Sequence, residues 1–360
     1  MPGDRSLDPP APARRRIAVV LFNLGGPDGP RAVRPFLRNL FSDPAILNLP
    51  ALIRKPLAAL IAWLRARSAI ANYGRMGGAS PILPGTKAQA EALEVALERR
   101  LSGGEIKVFI AMRHWTPLTA AVARDVAAFE PDDVVLVPLY PQFSTTTTGS
   151  SLTAWRAAYR GVGVSRAICC WYAEPGFITA HVQRILETWR AAGTPKVRLL
   201  FSAHGLPERT IAAGDPYQWQ IEQTCAAIVA GLDGDWDWKI CYQSRVGPLK
   251  WLGPSTPDAL REAAREGLDV LIDPVAFVSE HIETLVELDL DYAELAHRIG
   301  IKTYLRAAAV GAASEFIEGL AKAVERSLRR GGCAPDGVAC PSGFSGCGRA
   351  DLLQDDHHVH

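Results

Sequence analysis

Seven short apolar runs constrain this chain more than any other feature: Ile17–Leu21, Lys107–Ala111, Asp133–Pro138, Ala167–Tyr172, Val197–Ser202, Lys239–Tyr242 and Asp269–Asp273. Stretches long enough for helices separate most of them, at 86–101, 117–129, 176–192, 216–231 and 256–266. Strand-length runs alternating with helix-length segments predict an α/β protein with largely parallel sheets. The runs also echo one another in order. Phe22-Asn-Leu-Gly-Gly-Pro-Asp28 resembles Phe201-Ser-Ala-His-Gly-Leu-Pro-Glu208, the run from Lys107 resembles that from Lys239, and the run from Asp133 resembles that from Asp269. Three echoes in one order predict a duplicated unit. The offset falls from 179 residues for the first echo to 132 for the second, so the first half carries about 47 extra residues, between 28 and 107.

The chain has 360 residues, which at ~150 per domain is about two domains. Hydrophobic residues at 48% and charged residues at 21% are ordinary for a globular protein and exclude disorder as the dominant state. A net charge of +1 argues against a dedicated nucleic-acid binder. Residues 1–15 read as a Pro-rich mobile lead with no signal-peptide core. No uncharged apolar run reaches the ~20 residues of a membrane span. These features predict a cytoplasmic protein, in which the seven cysteines are not expected to pair as disulfides. The expected division is 16–150 with an insertion at about 31–80, then 151–310, then a C-terminal helix and Cys-bearing extension at 311–360.

Within the insertion, Leu57, Leu60, Ile61 and Leu64 fall at helical spacing and run into Arg65 and Arg67. A core-covering helix is the ordinary account of such a stripe. Its presence in one copy only favours a mobile lip over a cleft, or a membrane-surface contact through 49–67.

His204 follows an apolar run and so sits at the carboxyl end of a strand, where open α/β sheets bind ligands. A second segment, Pro274 to Glu287, also follows a strand. Ser279 is placed to cap a helix there, and Glu280, Glu283 and Glu287 at spacings of three and four share one helix face. The helix dipole accounts for acids in a first turn but not for Glu287. His204 and Glu283 are thus expected to face each other across one cleft. One imidazole and one carboxylate suit a weakly held divalent cation such as ferrous iron, or the acceptance of protons. The hydroxyl-rich run Ser144–Ser151 lacks the Gly-Lys-Ser of a phosphate loop, which excludes nucleotide binding there.

From about Ile17 to Leu320 the chain resembles the ferrochelatases, which insert ferrous iron into protoporphyrin IX in the last step of haem synthesis. The motifs carrying the resemblance include Asn23-Leu-Gly-Gly-Pro27, Gly77-Gly-Ala-Ser-Pro-Ile82, Met112-Arg-His-Trp115, Pro138-Leu-Tyr-Pro-Gln-Phe-Ser144, Ser202-Ala-His-Gly-Leu-Pro207, Gly214-Asp-Pro-Tyr217, Tyr242-Gln-Ser-Arg-Val-Gly-Pro248 and Phe277–Glu287. The resemblance implies two similar Rossmann-like domains with four-stranded parallel sheets and a porphyrin cleft between them. It implies that His204 and Glu283 handle metal and protons, with Glu280 and Glu287 continuing an acidic path. It also places Arg65, Tyr73 and Ser80 near the porphyrin, Arg113 deep in the cleft and Phe22 on a loop against the macrocycle. His114 departs from the family, which often has Tyr there.

Cys333, Cys340 and Cys347 lie seven apart among Gly, Pro and Ser. The resemblance implies a [2Fe–2S] cluster held by these three and one internal cysteine, Cys170 ahead of Cys169, both expected on a strand. A zinc site competes, since tetrahedral sulfur suits both. Cys225 and Cys241 read as core, and His357, His358 and His360 as an unstructured end. Two further readings stay open: another metal or porphyrin on the same fold, such as cobalt or coproporphyrin, and a non-catalytic porphyrin or metal carrier.

Overall fold

The computed structural model describes residues 14–245, 247, 249–330, 340–341 and 343–347. Most of the expected N-terminal lead, Cys333 and the three terminal histidines lie outside the described residues. The strands are β1 (Arg16–Asn23), β2 (Glu105–Met112), β3 (Asp133–Pro138), β4 (Val164–Ala167), β5 (Val197–His204), β6 (Trp238–Gln243), β7 (Asp269–Asp273) and β8 (Tyr304–Arg306). They form two four-stranded parallel sheets, ordered β2-β1-β3-β4 and β6-β5-β7-β8. The same order twice matches the duplication read from the echoes.

The strands read as continuous apolar runs because helices cover both faces of each sheet. In β1, Ala18, Val20 and Phe22 face a core with α4 (Thr119–Ala128) and α5 (Ser150–Ala158), while Ile17, Val19 and Leu21 face α3 (Ile82–Arg100) and the terminal helix. In the second half, α7 (Glu208–Ala212) and α8 (Tyr217–Ala230) join β5 to β6, and α9 (Thr256–Arg265) joins β6 to β7. A π-helix (Glu283–Tyr292) and α10 (Ala293–Arg298) then lead to β8.

Two helices tie the halves together. The chain leaves β4 through α6 (Pro175–Ala191), which packs on α8 and β7. The last helix, α11 (Ser314–Arg330), returns to the first half and packs on α3, α6 and β3. Its Phe316, Ile317, Leu320 and Val324 share one core with Val19 and Leu21. The helix expected at the start of the C-terminal segment thus packs on elements of both halves.

Two expectations need correcting. The run Ala167–Tyr172 is not a strand, since β4 ends at Ala167. Ile168 and Trp171 fill the core beneath α11, while Cys169, Cys170 and Tyr172 pack around Phe143, so burial in a loop produced the apolar signal. Phe22 lies inside β1, fully buried and edge-on to Trp155 at 5.8 Å, not on a loop facing a ligand. Strand alternation turns it to the same side as Ala18 and Val20.

The insertion is a helical pair, α1 (Pro30–Phe41) and α2 (Ala51–Gly74). Helix α2 buries the small residues Ala58 and Ala62 and turns Leu52, Ile53, Leu60, Trp63 and Leu64 to solvent. Its stripe does not cover the core.

Candidate active site

In each sheet the chain passes from the central strand to one neighbour and then to the other, which opens a crevice at the strands' carboxyl ends. His204 is the last residue of β5, and Glu283 opens the π-helix beyond β7, so the two flank the crevice of the second sheet. His204 Nδ1 lies 2.7 Å from the Gly205 carbonyl oxygen. A carbonyl only accepts, so Nδ1 carries the hydrogen and neutral His204 keeps its lone pair on Nε2. That Nε2 stands 3.8 Å from Glu283 Oε1. On the other oxygen, His281 Nε2 stands 3.7 Å from Glu283 Oε2. One carboxylate thus lies between two imidazoles. Burial alone would raise the Glu283 carboxyl, but the positive charge that His204 and His281 carry when protonated outweighs it and holds the group at about 2. Among the described residues, no group of three or more His, Cys, Asp or Glu stands ready to hold a metal ion.

The surrounding polar groups brace this cluster. The Tyr217 hydroxyl donates to the His204 carbonyl oxygen at 3.1 Å. Glu287 accepts from Ser244 N at 2.9 Å, Tyr292 Oη at 2.6 Å and Gln243 Nε2 at 3.1 Å, and also from the Ser244 hydroxyl. Its carboxylate is bound to the loop after β6. Glu280 corrects the expected acidic face. It lies before the helix, where its Oε1 accepts from Arg306 Nη1 at 2.6 Å and Ala309 N at 2.9 Å. Three carboxylates therefore do not share one helix face. Ser279 does not cap the helix either: its hydroxyl donates to Gln89 Oε1 on α3 at 3.2 Å, and the Thr284 hydroxyl takes the His281 N–H at 3.0 Å.

The lip bridges the two halves. Trp115, after β2, and Ile282, beside Glu283, both pack against the cluster of Val33, Phe36, Leu37, Ala62 and Tyr73. Tyr73 is buried, and its phenol is pushed up by that burial and by the charge of Glu283. Ser80 N donates to the Pro27 carbonyl at 2.8 Å. A Cβ on Gly26 would come within 2.5 Å of Ser80 Oγ, so the turn needs glycine. Arg65 is exposed, its guanidinium 5.8 Å above the Phe41 ring. Arg113 Nη2 pairs with Asp43 Oδ2 at 2.8 Å, and its Nε donates to Ser150 Oγ at 2.6 Å. His114 is buried beside them and pushed down to about 3 by burial and by Arg113, so it stays neutral.

The ferrochelatase family model matches residues 16–328. The ferrochelatase of Caulobacter vibrioides is 61% identical over 93% of this chain and 95% of its own length. That of Phenylobacterium zucineum is 58% identical over 92% and 97%, and that of Hyphomonas neptunium 50% identical over 94% and 96%. The chain belongs to the ferrochelatase family. It is a porphyrin metal chelatase, an enzyme of haem synthesis.

Within this ferrochelatase, several polar residues escaped the sequence reading. His281 stands two places before Glu283 and was legible there, but the spacing of the acids drew the argument past it. Ser244 and Asp43 carry no periodic signal, because each reaches the site from an irregular segment, and Tyr217 reaches it from the first position of α8. Outside the cleft, Cys169 and Cys170 Sγ lie 3.6 Å apart, and Gln220 Nε2 donates to Cys340 Sγ at 3.1 Å. Hydrogen bonds from Cys169 and Cys340 push the Cys170 thiol down to about 5, with Cys347 also near. The loop thus lies near the tail's Cys340 and Cys347, whereas Cys333 lies outside the described residues.

Proposed function

We propose that His204, Glu283 and His281 carry the insertion of ferrous iron into protoporphyrin IX. The observation behind this reading is the Glu283 carboxylate, ionised and flanked by two imidazole Nε2 atoms within 3.8 Å. Insertion must remove two pyrrole protons while a dication arrives. His204 Nε2 carries a free lone pair and accepts one of these protons, His281 takes the other, and the carboxylate between them stabilises the imidazolium that forms. Glu283 also offers the incoming iron a hard oxygen ligand while the imidazoles offer nitrogen. Arg113, Tyr73, Ser80 and exposed Arg65 contribute to holding the macrocycle, an arginine suiting a propionate because its fork pairs with a carboxylate. Anaerobic incubation with ferrous iron and protoporphyrin tests this: the porphyrin spectrum should convert to that of haem. Porphyrin binding without conversion would favour the carrier, and conversion only with cobalt or coproporphyrin would move the specificity.

Two finer readings belong here. The soft sulfur donors Cys170 and Cys340, with Cys170 favoured as thiolate and Cys347 near them, would suit an iron–sulfur centre once drawn together, and Cys333 would complete four ligands. A [2Fe–2S] cluster would cross-link the tail to the body. Purified protein should show visible absorbance that Cys340→Ser loses; unchanged colour in that variant would remove Cys340 from the ligand set. The outward face of α2 is proposed to touch the cytoplasmic face of a membrane. Leu52 is 90% exposed and Trp63 59%, beside Lys55, Arg65 and Arg67. Among the described residues no helix is long and apolar enough to cross a membrane, so this contact would be peripheral. Each basic residue near an anionic surface adds about 1 kcal/mol. The protein should co-sediment with vesicles rich in anionic lipid, and Trp63→Glu should weaken this at least several-fold; equal sedimentation of the variant would sink the idea.

A further inference from the structure

Asp43 stands in the turn between the two lip helices, and its side chain is 1% exposed. Its Oδ1 accepts the Ala45 N–H at 2.9 Å. Its Oδ2 accepts from Arg113 Nη2 at 2.8 Å and from Ser150 Oγ at 2.5 Å, and Arg113 Nε closes the triangle on Ser150 Oγ at 2.6 Å. The three residues come from three elements: the lip, the turn after β2 and the start of α5. A side chain of the lip therefore decides where a guanidinium of the cleft wall sits. The backbone repeats the link, since Asn39 Nδ2 on α1 donates to the His114 carbonyl oxygen at 3.0 Å.

The far end of the lip is held differently. Arg75 pairs with Asp291 on the π-helix at 2.6 Å, but their side chains are 37% and 46% exposed. Exposed pairs of this kind contribute little. Removing one partner of a buried pair leaves an uncompensated charge and is far more disruptive. The two ion pairs are thus unequal, buried and networked at Asp43 and solvated at Arg75, where the buried ring of Tyr73 holds the lip instead.

We propose that Asp43 is a positioning residue that holds Arg113 in place at the porphyrin site and ties its end of the lip to the first half. The kinetic part of this rests on the chelatase reading above; the mechanical part does not. Asp43→Asn keeps the size of the side chain and removes its charge. In the substrate-free protein, tryptic cleavage after the exposed Arg65 and Arg67 should quicken by about tenfold, because the buried anchor is lost. The KM for protoporphyrin should rise by about tenfold as Arg113 moves off position, with kcat within about threefold and the KM for iron unchanged. Arg75→Ala, which breaks only the exposed pair, should alter cleavage by less than about twofold. Should Asp43→Asn not fold, Ser150→Ala keeps the ion pair, removes the shared hydroxyl and should move both readouts the same way by about threefold. Wild-type cleavage in Asp43→Asn, cleavage no faster than in Arg75→Ala, or a change in kcat with KM for protoporphyrin unmoved would each overturn the proposal. A wild type that binds no porphyrin would instead defeat the chelatase reading, and the cleavage rates would still decide the anchor.

Discussion

Replacing His204 by alanine is expected to slow iron insertion by about 10²- to 10⁴-fold, the usual contribution of a positioned proton acceptor. That is roughly 3 to 5 kcal/mol of barrier. The expectation follows from the tautomer. The Gly205 carbonyl claims the Nδ1 hydrogen, so the other ring nitrogen is free to accept a proton beside an ionised carboxylate. The fold should tolerate the change. The His204 side chain is 38% exposed, and Tyr217 bonds to its backbone oxygen, which alanine keeps. Thermal stability should therefore move little, and porphyrin should still bind. Added imidazole should restore part of the rate by occupying the vacated space. Turnover within about threefold of wild type in His204→Ala would remove His204 from the proton path and leave Glu283 or His281 as acceptor.

How far the sequence anticipated this arrangement depends on what kind of signal each part leaves. Parallel strands covered on both faces leave unbroken apolar runs, so six of the eight strands were legible at close to their observed positions. Strand β8, three residues at a sheet edge with no residue fully buried, leaves no such run. The run at Ala167–Tyr172 misled because a buried loop and a buried strand have the same composition. The acidic spacing misled for a geometric reason. It presumed helix from Glu280 onward, whereas the chain stays irregular until Ile282 and then winds with a wider π-helical turn, leaving Glu280 beside Arg306. His204 was legible because a histidine ending an apolar strand is unusual on its face. Asp43 was not, since a lone acid in a turn gives no pattern until the fold brings Arg113 and Ser150 to it.

Replacing Glu283 by glutamine should cost as much again, through a different step. The amide keeps the volume between His204 and His281 but cannot balance the charge of an arriving dication or of a newly formed imidazolium. The rate at limiting iron should fall by about 10²- to 10³-fold, with porphyrin affinity little changed. The pH dependence separates this from a fold defect. Glu283 is held at about 2 by the two histidines, below the ordinary carboxylate value of about 4.3. A carboxyl depressed in the folded state favours folding where it is ionised. Its stabilisation is complete above about pH 5 and fades as pH falls toward about 2. Glu283 thus carries a full charge across the neutral range and contributes no titration there. Any acid limb of the rate profile near neutrality belongs to another group and should persist in Glu283→Gln at the reduced rate. Disappearance of that limb in the variant would show that Glu283 titrates in the working range, which two imidazoles pressed against an ionised carboxylate would not allow.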